Sequence, residues 1–151
     1  MPLEVYKVAY KLALADPDIP GPRYHTVLFV RTKTNGDGIV HHVTGDIVSG
    51  MQYQSRPAKR PEDSQTFHSK ELLGVVEPTD YPGVFDQTCR QQPPPPRQKR
   101  FNPATHRTEQ MKPDGSFYEQ GEMRSPMVKC TEWTERQAIP ALLQNGIIKP
   151  R

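Results

Sequence analysis

The sequence has a low share of apolar residues and lacks any long apolar run. Apolar residues make up 34% of the 151 positions, compared with about 45–50% in typical globular domains. No segment approaches the roughly 18 consecutive apolar residues that a membrane-spanning helix needs. The first ten residues, MPLEVYKVAY, lack the apolar core of a secretory signal. We therefore expect a cytoplasmic protein without a membrane span.

Cysteine is also scarce, and this limits the kinds of site that the chain can build. The two cysteines are Cys89 and Cys130, and thiols in the cytoplasm stay reduced. Two cysteines cannot complete a tetrahedral zinc site alone, and the five histidines lack zinc-finger spacing to them. We expect no metal and no cofactor.

The charge is almost balanced, with 20 Lys and Arg against 17 Asp and Glu. A nucleic-acid-binding domain usually concentrates positive charge on one face. The only dense basic cluster here is Arg97 to Arg100, on a proline-rich segment that is typical of a solvated loop. We expect no nucleic-acid partner.

Proline, in contrast, is abundant, with 17 residues. The length predicts a single domain over residues 1–151. Within it, residues 91–124 are predicted to form a proline-rich loop before the C-terminal helix, and Pro93 to Pro96 favour an extended polyproline conformation. Loops of this length often cover functional sites.

Three segments predict an antiparallel sheet. In YHTVLFVRT, β-branched and aromatic residues predict a central strand, IVHHVTGDIV predicts its return strand, and Asn35-Gly36 between them is typical of a hairpin turn. HSKELLGVVEP predicts a further strand. A turn is predicted at residues 16–22. Before it, apolar residues at alternate positions predict a first strand: Tyr6, Val8, Tyr10, Leu12 and Leu14. A helix is the alternative, since Val5, Val8, Ala9 and Leu12 also fit a helical spacing.

Helical patterns occupy the second half of the chain. Tyr81 to Arg90 predict a short helix that stops before the prolines. A C-terminal helix is predicted from about Thr131, with Pro140 either kinking it or lying in the first turn of a second helix. The fold class is therefore α+β, a small antiparallel sheet packed against a C-terminal helix that carries Cys130 at its N-terminus.

Cys130 has two interpretations. Free N–H groups at a helix start stabilise a thiolate, and a nearby histidine would complete an activated nucleophile. Alternatively, Cys130 is a small buried apolar residue, the commonest fate of a free cysteine.

The histidines offer partners for such a thiol. His25 begins a predicted strand, and His41 and His42 lie on the next one. Because neighbouring strand residues point to opposite faces, only one of His41 and His42 can share a face with His25.

Together, YHTVLFVRT, GIVHHVTG and KCTEW resemble the permuted papain-like cysteine hydrolases and acyltransferases of the lecithin:retinol acyltransferase type. More narrowly, the chain is similar to small fungal proteins with the same three segments and a PPPP segment. The resemblance implies that Cys130 is the nucleophile, His25 the general base and His42 the histidine that orients it, with His41 as the competitor of His42. The sequence departs from the acyltransferase motif where Glu132 and Trp133 replace its histidine-aromatic pair. Candidate orienting or pocket residues are His41, Glu132 and Trp133.

The function implied is thiolate attack on the acyl carbonyl of a small-molecule, lipid or peptide substrate, followed by hydrolysis or acyl transfer. A lyase or isomerase could use the same residues. The alternative is a non-catalytic module that binds a small molecule or a protein on the same fold. A third interpretation is a scaffold that presents the polyproline segment to partners.

Overall fold

The computed structural model describes residues 1–12 and 23–151 of the chain. The turn predicted at residues 16–22 and Leu14 of the first predicted strand lie outside the described residues. The structure is α+β, as predicted, with a five-stranded antiparallel sheet and a helical C-terminal region.

The first four strands are neighbours in sequence order, and only the fifth departs from that order by pairing with the first. The order across the sheet is β4-β3-β2-β1-β5, so the first two hairpins lie side by side and β5 closes the other edge. Because β4 and β5 are opposite edges, the connection between them, residues 59–66, has to pass from one side of the sheet to the other. The strands are β1 Leu3–Lys11, β2 Tyr24–Arg31, β3 Gly38–Asp46, β4 Gly50–Ala58 and β5 Phe67–Val76.

The β2–β3 hairpin turns where the sequence predicts. Gly36 has φ of +99°, a left-handed conformation that glycine adopts without strain. The Asn35 side chain accepts a hydrogen bond from the Asp37 N–H at 3.0 Å. The turn fixes the register in which Leu28 lies opposite His41, and this register decides which histidines share a face.

The helices are α1 Gly83–Gln91, α2 Cys130–Trp133 and α3 Ile139–Gln144, with a π-helical segment, Thr134–Ala138, joining α2 to α3. Helical structure is therefore continuous from Cys130 to Gln144. Pro140 lies in the first turn of α3, where its missing N–H has least effect. Of the two predicted alternatives, a kink or a second helix, the structure shows the second helix with Pro140 in its first turn.

The sheet separates two clusters of buried side chains. One face packs against the helices, and its core includes Leu28, Val43, Phe85, Trp133 and Leu142. We call it the helix-covered face. The opposite face, the open face, has a smaller cluster: Val8, Val27, Phe29 and Val40.

Two segments differ from the sequence-based expectation. Residues 50–58 form the edge strand β4, for which the sequence patterns predicted no strand. The predicted loop at 91–124 contains a small hairpin, β6 Lys99–Asn102 paired with β7 Arg107–Gln110. Among the described residues, no helix has the length and apolarity that crossing a membrane requires.

Candidate functional site

The start of the C-terminal helix is attached to β2 by hydroxyl groups. The Thr131 and Thr26 hydroxyl oxygens lie 2.8 Å apart, and Thr131 also donates to the Tyr24 carbonyl at 3.3 Å. One turn later, the buried Thr134 hydroxyl donates to the Thr26 carbonyl at 3.3 Å. These contacts hold Cys130 against the strand that begins with Tyr24 and His25.

Glu132 fixes the same helix start from the other side. Its carboxylate accepts the Lys129 backbone N–H at 2.8 Å and a two-pronged contact from the Arg23 guanidinium at 2.8 and 3.0 Å. Burial acts to raise the pKa of Glu132, but the hydrogen bonds from Arg23 and from the Lys129 N–H, together with the charge of Arg23, outweigh burial and lower this pKa. Glu132 is therefore placed as a helix cap and ion-pair partner rather than in a pocket.

Trp133 likewise packs in the core. Its side chain is fully buried, its ring centroid lies 5.7 Å from that of Tyr53, and its indole N–H donates to the Gln92 carbonyl at 3.3 Å. Trp133 lies about one helical turn after Cys130, and its side chain packs between the sheet and Gln92, the residue that follows α1.

The sulfur of Cys130 lies at the edge of a small cavity. Its side chain is 8% exposed, and its Sγ lies 3.7 Å from the Tyr24 carbonyl oxygen, within reach of a weak S–H donor. A cavity of about 140 Å³ adjoins it and is lined by both Cys130 and His25. We call it the thiol cavity. The structure thus brings the predicted nucleophile and the predicted base to one cavity, while the sulfur's hydrogen-bond partner is the Tyr24 carbonyl.

His25 and His42 contact each other on the open face. The Nε2 of His25 lies 3.1 Å from the Nδ1 of His42, and the rings meet edge to face. The register explains the contact. Leu28 lies opposite His41, and both side chains are on the helix-covered face. Because side chains alternate along a strand, Val27 and His42 lie on the open face together with His25. Of the two candidate histidines, His42 is the one placed against His25.

Both histidines of this pair are held neutral near pH 7. Burial is the main cause of the lowered pKa of His25, and the positive charge of Arg56 adds to it. Burial likewise lowers the pKa of His42 to about 4, with contributions from the neighbouring His25 and Arg56. One proton is then shared across the Nε2–Nδ1 contact, and each ring has its second nitrogen available for another partner.

His41 belongs to a different network, on the helix-covered face. Its Nδ1 lies 2.6 Å from the Tyr53 hydroxyl, and its Nε2 lies 2.7 Å from the Tyr81 hydroxyl. The Tyr53 hydroxyl donates to Asp86 at 2.8 Å, so it accepts from His41 Nδ1–H, and Tyr81 donates to Nε2. Burial lowers the pKa of His41 to about 4 despite the Asp86 carboxylate, which acts to raise it.

Cys89 lies beside this network and has the properties of a structural thiol. It is fully buried, and burial raises its pKa to about 12, although the contact with the Tyr53 hydroxyl acts to lower it. A thiol of this kind is a poor nucleophile. Cys89 is therefore a natural internal control for the reactivity of Cys130.

A second, larger cavity of about 500 Å³ lies on the open face, between the sheet and residues 59–66. His25, His42, Tyr10 and Arg56 line it. We call it the face cavity. His25 and Leu12 line both cavities, so the thiol cavity and the face cavity share these two residues, whereas His42 lines the face cavity.

Sequence reasoning did not identify Tyr10 or Arg56 as site residues. Tyr10 lies opposite His25 in the β1–β2 register, and the alternating pattern of the first strand already implied its face. Arg56 lies on β4, opposite Val40. The sequence did not predict a strand there, because the surrounding segment is polar and contains Pro57. No group of three or more His, Cys, Asp or Glu side chains within residues 1–12 and 23–151 could hold a metal ion.

The fold and site define a class: an α+β protein with a histidine pair on an antiparallel sheet and a cysteine at the start of the C-terminal helical region. The sequence profile of DUF6540, a family of unknown function, matches residues 12–149. Because this match covers most of the chain, the protein belongs to that family. Neither a curated protein nor a solved structure matches it.

Proposed function

We propose that this protein is a cysteine-dependent hydrolase or acyltransferase of the permuted papain-like kind, with Cys130 as nucleophile, His25 as general base and His42 as the residue that orients His25. The observation that carries the proposal is that His25 lines the thiol cavity with Cys130 while its Nε2 is held by His42 Nδ1 at 3.1 Å. A nucleophile, a base and a third group that orients the base are the parts of an activated thiol site.

The tautomer that this chemistry needs is compatible with the contact. If His25 Nε2–H donates to His42 Nδ1, the Nδ1 of neutral His25 is unprotonated and can accept the thiol proton. The lowered pKa of His25 supports the role, because a base has to be unprotonated at the working pH.

The reaction starts by moving the thiol proton. The Cys130 S–H proton, directed at the Tyr24 carbonyl at 3.7 Å, transfers to His25 Nδ1 after the side chain turns into the thiol cavity. The thiolate attacks an acyl carbonyl, His25 returns the proton to the departing alcohol or amine, and the acyl group stays on sulfur. Water or a second acceptor then attacks the thioester, again with His25 as base, and the free thiol is restored.

A second candidate is a non-catalytic module that binds a small molecule on the same fold. The contact of Cys130 Sγ with the Tyr24 carbonyl, instead of with His25, favours it. So does the larger cavity on the far side of the histidine pair.

An activated ester, 4-nitrophenyl acetate, separates the two candidates. The enzyme proposal predicts nitrophenolate release together with an acetyl group on Cys130, located by peptide mass spectrometry. His25→Ala should slow acylation by at least about 100-fold, the usual contribution of a general base. Cys89→Ser is the matched thiol control and should leave acylation unchanged. If Cys130 is acetylated at the same rate in His25→Ala, or if acetyl groups are spread over other residues, the enzyme proposal is contradicted and the binding module is favoured.

A further inference from the structure

The face cavity has the volume of a small-molecule site. Its volume of about 500 Å³ falls within the range of about 300–1,000 Å³ typical of ligand pockets. Val27 and Val40 of the sheet lie on one side, and Pro61 and Thr66 of the β4–β5 connection lie on the other. The cavity is therefore apolar at its base and is bounded by chain that crosses the sheet.

Specific contacts hold that connection in place. The Thr66 carbonyl accepts the Lys11 N–H at 2.7 Å, and the Asp37 carboxylate accepts the Arg60 N–H at 3.0 Å. Lys70 on β5 forms an ion pair with Glu62 at 2.8 Å. These contacts tie the crossing chain to β1, to the β2–β3 turn and to β5, so the cavity is part of the folded structure.

The charge around the cavity is strongly one-sided. Four basic residues and a single carboxylate line it, and the carboxylate, Asp63, is already paired with Arg60 at 2.8 Å. Arg56 shares the open face with Val40, which lies opposite it across the β3–β4 ladder. Among the described residues the Arg56 side chain has no hydrogen bond or ion pair, although its charge lowers the pKa of both histidines of the pair. The basic residues are Lys11, Arg56, Lys59 and Arg60.

One residue that lines the cavity also has a polar atom without a partner. The Nε2 of His42 is the one buried side-chain nitrogen or oxygen in the described part of the chain that has no hydrogen-bond partner, and the residue is only 3% exposed. Buried polar groups are almost always paired, with protein, water or ligand. An unpaired imidazole nitrogen beside a positively charged cavity therefore marks a position that an acceptor atom would complete.

We propose that the face cavity binds a small organic anion, a carboxylate or phosphate monoester on a short apolar chain. The apolar chain lies on Val27 and Val40, the anionic group pairs with Arg56, and an anionic oxygen, directly or through one water, accepts from His42 Nε2–H. The site goes beyond the thiol chemistry and does not require Cys130 to react.

Such a ligand would also act on the histidine pair. An acceptor at His42 Nε2 requires the proton to be there, so His42 Nδ1 must accept from His25 Nε2–H. That is the tautomer in which His25 Nδ1 is unprotonated. The anion would therefore position the proton of the pair, and through it the base that faces the thiol cavity.

A titration followed by two-dimensional amide NMR of the full chain tests the proposal with three probes: hexanoate, hexyl phosphate and hexanol. We expect saturable shifts at the amides of His42, Arg56 and Thr66 with at least one of the two anions. The neutral alcohol should bind at least about tenfold more weakly, since it lacks the charge that pairs with Arg56. The anion that binds more tightly identifies the group that the site prefers.

Variants make the assignment specific. Arg56→Gln should reduce anion affinity to that of hexanol, whereas Arg136→Gln, an exposed arginine on the C-terminal helical segment away from the cavity, should leave it unchanged. Cys130→Ser should bind as the wild type does, so a failure of the thiol chemistry and a failure of this proposal give different results. Imidazole nitrogen shifts should show His42 fixed as the Nε2–H tautomer when the anion is bound.

Three results would overturn the proposal. One is the absence of saturable binding by either anion at millimolar concentration. The others are equal affinity for hexanol and the anions, and an Arg56→Gln variant that binds the anions as well as the wild type.

Discussion

His41 and His42 are neighbours on β3, but they lie on opposite faces of the sheet and differ in how many of their ring nitrogens have a hydrogen-bond partner. His41, on the helix-covered face, is 1% exposed, and both of its ring nitrogens contact tyrosine hydroxyls. His42, on the open face, contacts His25 through one nitrogen, and its other nitrogen is unpaired beside a cavity. Since His41 and His42 are both buried, burial alone does not distinguish a structural histidine from a functional one. What separates them is whether the hydrogen-bonding capacity is used up.

The first test asks whether the helix-covered face contains the main core, by removing its largest buried side chain. Trp133→Ala should lower the free energy of unfolding by about 3–5 kcal/mol, the usual cost of emptying a buried aromatic site, because Trp133 is fully buried. Urea unfolding measures the change. Leu143→Ala, on α3 and 38% exposed, is the control and should cost about 0.5 kcal/mol or less. Similar losses in the two variants would show that this face is not the main core.

The second test uses the pH dependence of stability. The pKa of His41 is lowered from an ordinary value of 6.5 to about 4, so the unfolded chain takes up the proton first as the pH falls. The stability that neutral His41 contributes is therefore complete above about pH 6.5 and is lost as the pH falls to about 4, up to about 3 kcal/mol in all. His25 and His42 act in the same direction.

Urea unfolding at neutral pH and at about pH 4 checks this linkage. Carboxylates also titrate there, so the informative quantity is the difference between the wild type and His41→Gln. We expect the wild type to lose more stability on acidification than the variant. An equal or smaller loss would contradict the buried neutral state of His41.

The third test compares the two histidines directly at neutral pH. His41→Gln should cost about 2 kcal/mol or more, because the hydroxyls of the partly buried Tyr53 and Tyr81 both lose their contact with the imidazole. His42→Gln should cost less than about 1 kcal/mol, because only the one side-chain hydrogen bond of His42, the contact with His25, is lost. A larger loss for His42→Gln would reverse our assignment of structural and functional roles.

The parts of the fold that the sequence predicted are those with strong local patterns. The continuous apolar run of β2, the Asn35-Gly36 turn and the helix start at Cys130 each have a local physical cause, and the structure confirms all three. β4 was missed because an edge strand needs few apolar residues, and its exposed side chains include Gln52, Gln54 and Arg56. Pro57 also argued against a strand, although an edge strand can accommodate proline.

The site was predictable only in part. Alternation along β3 showed that just one of His41 and His42 could join His25, but choosing between them required the β2–β3 register. The face cavity depends on the order of the strands, since residues 59–66 cross the open face only because β4 and β5 are opposite edges. Strand order is a long-range property that no local pattern in this sequence encodes.

The central claim is that His25 activates Cys130, and thiol labelling tests it most directly. The full chain is treated with limiting iodoacetamide at neutral pH, and the modified cysteine is located by peptide mass spectrometry. We predict rapid labelling of Cys130, no labelling of the buried Cys89, and at least about tenfold slower labelling of Cys130 in His25→Ala, because the base that removes the thiol proton is gone. The His41→Gln variant should label as the wild type does, provided that it is folded. Labelling of Cys130 at the same rate with and without His25 would contradict the account.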